Sequence, residues 1–221
     1  MQLDSNFRDW YDFAFERSGP VYTRDIGGGM SRPEMFEYMQ SLDLDVPAHG
    51  TVQELAARYR RDPDSIEAYL LQHNILQLVV YLDERAHCGE GKTLLDIQDA
   101  LQRYPNHYCS QHIPATPTGL GSTLRYLHVG QRRWWLRYNS LNDWRSNVGD
   151  VEIEVMYEEK PGYHPRIKLP MFAIDFVHAG AKLYAIDFNE APGLDPLNGR
   201  IPASEIVAQL KLLANSTRMW Y

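Results

Sequence analysis

The chain has 221 residues, 44% of them hydrophobic, and a net charge of −7. That length suits one large domain or two small subdomains around a buried core, and the composition excludes a disordered chain. The acidic balance argues against nucleic-acid binding through phosphates, and no apolar run approaches the roughly 20 residues of a membrane span.

The N-terminal "MQLDSNFRDW" has no basic region followed by an apolar core and does not read as a signal peptide. Cys88 and Cys109 form neither a CxxC pair nor a zinc set, so a reducing, cytoplasmic location is expected. "NFRDWYDFAFERSG" reads as an aromatic-rich helix ending at Gly19, followed by a flexible Gly27-Gly28-Gly29 run. Ser31 and Pro33 mark the start of a helix that runs to about Ser41 and exits through "LDVP". Thr51 and Glu54 form a capping box for the next helix, which Pro63 breaks. Asp62 caps another helix through "DSIEAYLLQHN". The pair is a scaffold or, alternatively, a small helix-turn-helix.

From Ile75 the pattern turns to strands. "ILQLVVYL" has strand length, "DERAHCGEGK" is a loop, "TLLDIQDALQRY" mixes a short strand with a helix, and "HYCSQHI" is a further strand. "STLRYLHVG", "QRRWWLRYNS", "DVEIEVMYE", "MFAIDFVH" and "AKLYAIDFN" follow as consecutive strands joined by short turns. "PASEIVAQLKLLANS" is an amphipathic closing helix. The fold class is α+β. The expected divisions are 1–50 as a helical lead-in, 51–120 as a smaller subdomain and 121–221 as a larger antiparallel-sheet subdomain.

Three stretches carry chemistry. "AHCGEGKT" approaches the P-loop pattern, with Ala86 where the first glycine belongs. "TLLDI" looks extended, however, and a P-loop needs a helix directly after the loop. A glycine hairpin folding over phosphates, with Lys92 supplying charge, suits the order better; an ordinary turn is the competing reading. "FAIDFVHAGAKLYAIDFN" places Asp175 on one strand of a hairpin and Asp187 and Asn189 on the other, the last two on one face. Carboxylates this close repel unless a cation sits between them, and oxygen ligands suit Mg²⁺. A solvent-facing sheet edge is the alternative. In "NDWRSNVGD", Arg145 and Asn147 follow a strand, with Arg125 one hairpin earlier. Such guanidiniums hold carboxylate or phosphate, or make surface salt bridges.

Taken in order, these pieces resemble the ATP-grasp family over about residues 31–213. "HCGEGK" resembles its glycine-rich loop, "YCSQHIP" its adenine-contacting hinge, "LRYLHVGQRRWWLRYNSLNDWRSNVGD" its arginine strand and following hairpin, and "AIDFV…YAIDFNEAPGL" its metal-binding strands. The resemblance implies two α+β subdomains with antiparallel sheets enclosing ATP, and Mg²⁺ on Asp175, Asp187 and Asn189. It implies Gly89, Gly91 and Lys92 at the phosphates and Gln111, His112 and Ile113 at adenine. Arg125, Arg145 and Asn147 would stabilise the transferred phosphoryl group and orient the substrate. The implied reaction activates a small-molecule or peptide carboxylate as an acyl phosphate for attack by an amine. A catalytically degenerate protein that binds nucleotide or a protein partner is the alternative, and a P-loop phosphotransferase a further one.

The sequence departs from the family at Asp187, where glutamate is usual, at "VVYLDE", which lacks the strand lysine, and at Ala115, where an acidic group often binds ribose. The chain has little room for the family's preceding domain. Substrate recognition is left to the first fifty residues or to a partner chain, as a partner protein or an oligomer, or is lost.

Overall fold

The computed structural model of the protein describes residues 30–62, 76–86, 90–162, 164–167, 169, 171–190 and 192–194, together with 202, 204, 207, 208 and 211. The aromatic-rich first helix, the glycine triplet, the helix after Asp62 and Gly89 lie outside the described residues, as does most of the closing helix.

Helix α1 (Arg32–Ser41) starts where Ser31 caps it, and Glu34 accepts the Ser31 backbone amide at 2.9 Å. Thr51 caps α2 (Val52–Arg61) by accepting the Glu54 amide at 3.3 Å, again with a reciprocal glutamate. Between them lies a three-residue strand, β1 (His49–Thr51), too short to show in the residue pattern.

Strands β2 (Gln77–Tyr81) and β3 (Lys92–Asp96) pair antiparallel as a hairpin. Only after β3 does α3 (Ile97–Arg103) begin, capped by Asp96, which accepts the Gln98 and Asp99 amides at 2.9 Å. A P-loop would join strand directly to helix, so that alternative is excluded. With β4 (Tyr108–Gln111) the smaller sheet has the order β1-β4-β2-β3. Helices α2 and α3 cover it, burying Val52, Leu55, Tyr59, Leu78, Val80 and Ala100.

The larger sheet contains β5 (Ser122–Val129), β6 (Arg132–Ser140), β7 (Val151–Glu158), β8 (Met171–Ala179) and β9 (Lys182–Asn189), in the order β7-β6-β5-β8-β9. Strand β6 alternates buried and half-buried side chains, as a strand covered mainly on one face should. Strand β8 is apolar and buried along most of its length, since both of its faces are covered. On one face Met35, Phe36 and Met39 of α1 pack with Phe172, Ile174 and Phe188, and Val79 and Tyr81 of the smaller sheet join the same cluster. The two sheets therefore share a core. Beyond the edge strand, the Ala185 amide donates to the Asp45 carbonyl at 2.8 Å, so the segment after α1 covers part of that edge.

The β8–β9 hairpin turns at Gly180-Ala181, with Gly180 at φ +60°. Its register contains a bulge. Asp175 opposes Asp187 but Phe176 opposes Ala185, which leaves Ile186 as the extra residue. The fold is thus α+β, with two antiparallel sheets meeting at a cleft, the architecture that the resemblance implies. No helix among the described residues is long and apolar enough to cross a membrane.

Candidate functional site

A cleft between the sheets is lined by Tyr81 and Lys92 from the smaller sheet, His112 and Ile113 from the segment after β4, Trp144 to Asn147 from the β6–β7 loop, and Asp175 and Asp187 from the larger sheet. Its enclosed part is about 90 Å³. That holds one group of phosphate or base size, so a whole nucleotide would extend through the open mouth.

The floor is a charged row. Arg125 opposes Asp175 across β5 and β8, and Asp175 opposes Asp187 across β8 and β9. Arg125 holds Asp175 bidentately, donating through Nε at 2.6 Å and Nη2 at 2.7 Å, and its guanidinium lies over the Tyr138 ring. At the sheet's edge Arg32, from the start of α1, donates through Nη1 to Asp187 Oδ1. The order is plus, minus, minus, plus. Each carboxylate has its own guanidinium, and the row is neutral.

Burial works against the charge on Arg32, yet Asp187 beside it leaves its affinity for the proton above normal. Burial also disfavours the charged form of Asp187, but Arg32, Lys92 and Arg125 outweigh it and hold the carboxyl below its ordinary range. Arg125 is likewise raised, with Asp175 outweighing desolvation.

Lys92 opens β3 and faces the row. Burial pulls its pKa down, and its ammonium lies 5.8 Å from the centre of the Trp144 ring. Among the described residues it forms no salt bridge. A half-buried cation without a carboxylate partner is costly unless a ligand anion compensates it.

The loop that presents Trp144 and Arg145 is closed at its base. Asn142 donates from Nδ2 to Asp150 at 3.0 Å, and the Asp150 amide returns a bond of 3.0 Å to Asn142 Oδ1. Arg145 grips Asp143 through Nε and Nη2, both at 2.9 Å. Gly121 lets this loop come close: a Cβ there would lie 2.4 Å from the Ser146 nitrogen and 2.5 Å from the Trp144 carbonyl oxygen. The polar end of the loop thereby reaches the cleft.

The structure brings Lys92, His112, Ile113, Arg145, Asn147, Asp175 and Asp187 to the cleft. Arg125 sits beneath it and acts on Asp175. Gly91 makes the β2–β3 turn at φ +60°, its carbonyl accepting the Leu82 and Asp83 amides at 2.7 and 3.1 Å, and it is not among the lining residues. Along the hinge the Gln111 amide donates to Ala48 and the His112 amide to Gln77, so neither is free for a base. The Gln111 side chain is buried away from the lining, and its Nε2 has no hydrogen-bond partner among the described residues. Burial pushes His112 down to about 4, which keeps the imidazole neutral against the edge of Trp144.

The oxygen set does not fit magnesium as arranged. Magnesium takes near-octahedral oxygen ligands at about 2.0–2.1 Å. Both Asp175 oxygens already accept from Arg125, and Asp187 accepts from Arg32. Asn189 opposes Ala173, one step beyond the cleft lining. Guanidiniums on either side of the pair, Arg125 on Asp175 and Arg32 on Asp187, relieve the Asp175–Asp187 repulsion. Among the described residues no group of three or more His, Cys, Asp or Glu side chains could hold a metal.

Arg32, Tyr81, Gly121 and Trp144 were not legible as site residues. For Arg32 one hint existed. A cation in the first turn of a capped helix opposes the helix dipole, so another partner must hold it there.

No family model and no curated protein matches the sequence. Among solved structures, the chain is similar to D-alanine–D-alanine ligase from Bacillus anthracis complexed with ATP, at 9% identity and a TM-score of 0.49, covering 86% of this chain and 67% of that one. It is similar to a Chryseobacterium gregarium RiPP-associated ATP-grasp ligase in complex with ADP and a leader and core peptide, at 13% identity and a TM-score of 0.45, covering 97% and 71%. It is also similar to a RimK domain ATP-grasp protein from Sphaerobacter thermophilus, at 16% identity and a TM-score of 0.44, covering 91% and 68%.

Proposed function

We propose that the chain binds ATP in the inter-sheet cleft and uses it to join a carboxylate to an amine. The carboxylate oxygen attacks the γ-phosphorus and ADP leaves; the amine then attacks the acyl phosphate, and the amine's proton passes to the departing inorganic phosphate as the amide forms. The observation that carries the nucleotide is Lys92, a half-buried cation that faces the cleft and forms no salt bridge among the described residues. An anionic phosphate there offsets its desolvation. Arg145, held by Asp143, adds donors on the same wall, and Asn147 beside it orients the substrate. Ile113 and the neutral His112 give the base an apolar seat. The order of sequence motifs supports an ATP-grasp assignment, and a peptide or small-molecule carboxylate is the substrate class.

The test is ADP release against pools of amino acids and peptides. Release with one carboxylate–amine pair identifies the reaction. A panel with no release leaves nucleotide binding without turnover, a second reading that the charge row favours, since Arg125 holds both oxygens of Asp175 and Arg32 one of Asp187.

A further inference from the structure

Arg32 ties three elements together. Its Nη1 donates to Asp187 on β9, its Nη2 donates to the Ala86 carbonyl after β2 at 3.2 Å, and its guanidinium lies 5.1 Å from the centre of the Tyr81 ring. Its own amide donates to the Glu84 carbonyl at 3.0 Å. The side chain is only 8% exposed, and it lines the cleft. A guanidinium has five donors, so bonds to Asp187, the Ala86 carbonyl and the Met35 sulfur leave others for a ligand oxygen. It is also permanently charged and suited to phosphate.

The row Arg125–Asp175–Asp187–Arg32 sums to zero. It has no excess negative charge for a divalent ion to neutralise. A metal bridging the aspartates would also lie against two guanidiniums, with Lys92 facing it. We infer that Arg32 is the resident cation of this cleft, and that a nucleotide's phosphates bind there without a divalent metal. The inference rests on the nucleotide reading above and concerns binding alone.

Calorimetric titration of the whole chain with ATP, in EDTA and in excess magnesium, tests it. The two dissociation constants are expected to agree within about threefold. Asp187→Asn keeps the shape and frees Arg32 from a competing charge, so binding in EDTA is expected to hold or tighten. Arg32→Gln, checked for folding by its unfolding transition, is expected to weaken binding in EDTA by about tenfold or more. Binding by the natural chain that is about tenfold tighter with magnesium, together with its loss in Asp187→Asn, would overturn the inference. So would a folded Arg32→Gln protein that binds in EDTA as the natural chain does. Absence of ATP binding under both conditions removes the nucleotide reading itself, a separate outcome.

Discussion

Arg125 and Lys92 are both half-buried cations with opposite consequences. Arg125 and Asp175 are 12% and 13% exposed and doubly bonded, so removing one partner leaves an uncompensated charge in the sheet. Arg125→Met is expected to destabilise the fold by about 3–5 kcal/mol, and Arg125→Met with Asp175→Leu to recover most of that in denaturant titrations. A double variant no more stable than the single one would show that the pair is not the source of the loss. Lys92 forms no salt bridge among the described residues. Lys92→Ala is expected to hold or raise stability, because it removes a desolvated charge, and to weaken ATP binding by about tenfold or more. Intrinsic fluorescence can follow binding, because Trp144 sits against Lys92, His112 and Arg145. Unchanged affinity would remove Lys92 from the site.

At the level of elements, the β6–β7 loop reaches the cleft because Gly121 has no side chain. Gly121→Ala puts a methyl group within 2.5 Å of loop backbone, which cannot yield as a side-chain tip can. It is expected to cost about 1–3 kcal/mol and to weaken ATP binding with it. Retained affinity at lowered stability would separate the loop from the ligand. The helix starts at Ser31 and Thr51 were legible because capping residues bond their own neighbours, and the larger sheet because alternation is local. Strand β1 was not, since three residues carry no period. Nor was the Arg32–Asp187 pair. Its members are 155 positions apart, and only the packing of α1 against the edge strand brings them together.

For the whole molecule, two histidines, the half-buried His112 and the buried His128, link stability to pH. Burial pushes both His112 and His128 down to about 4, and His128 lies stacked on Phe172. In the unfolded chain they protonate near the ordinary value of about 6.5, so over this window the unfolded state binds more protons. Their contribution is complete above about pH 6.5 and is lost as pH falls towards 4, with a slope of at most about 2.7 kcal/mol per pH unit for two groups. Unfolding transitions measured between those values check it. A flat profile would show that both rings accept protons in the folded state.

The extra residue at Ile186 sets a parity. On the turn side of the bulge Tyr184 shares a face with Val177, and beyond it Asp187 shares that face with Asp175, although 184 and 187 differ by an odd number. Were the two strands paired regularly with no bulge, Asp187 would oppose Ile174 and point into the aromatic cluster instead of the cleft. The polarity of the cleft floor is therefore encoded by chain length as well as by residue identity. In a related or redesigned chain, an insertion between the turn and Asp187 would put Asp187 opposite Ile174, whereas deletion of Ile186 would remove the bulge and keep Asp187 opposite Asp175.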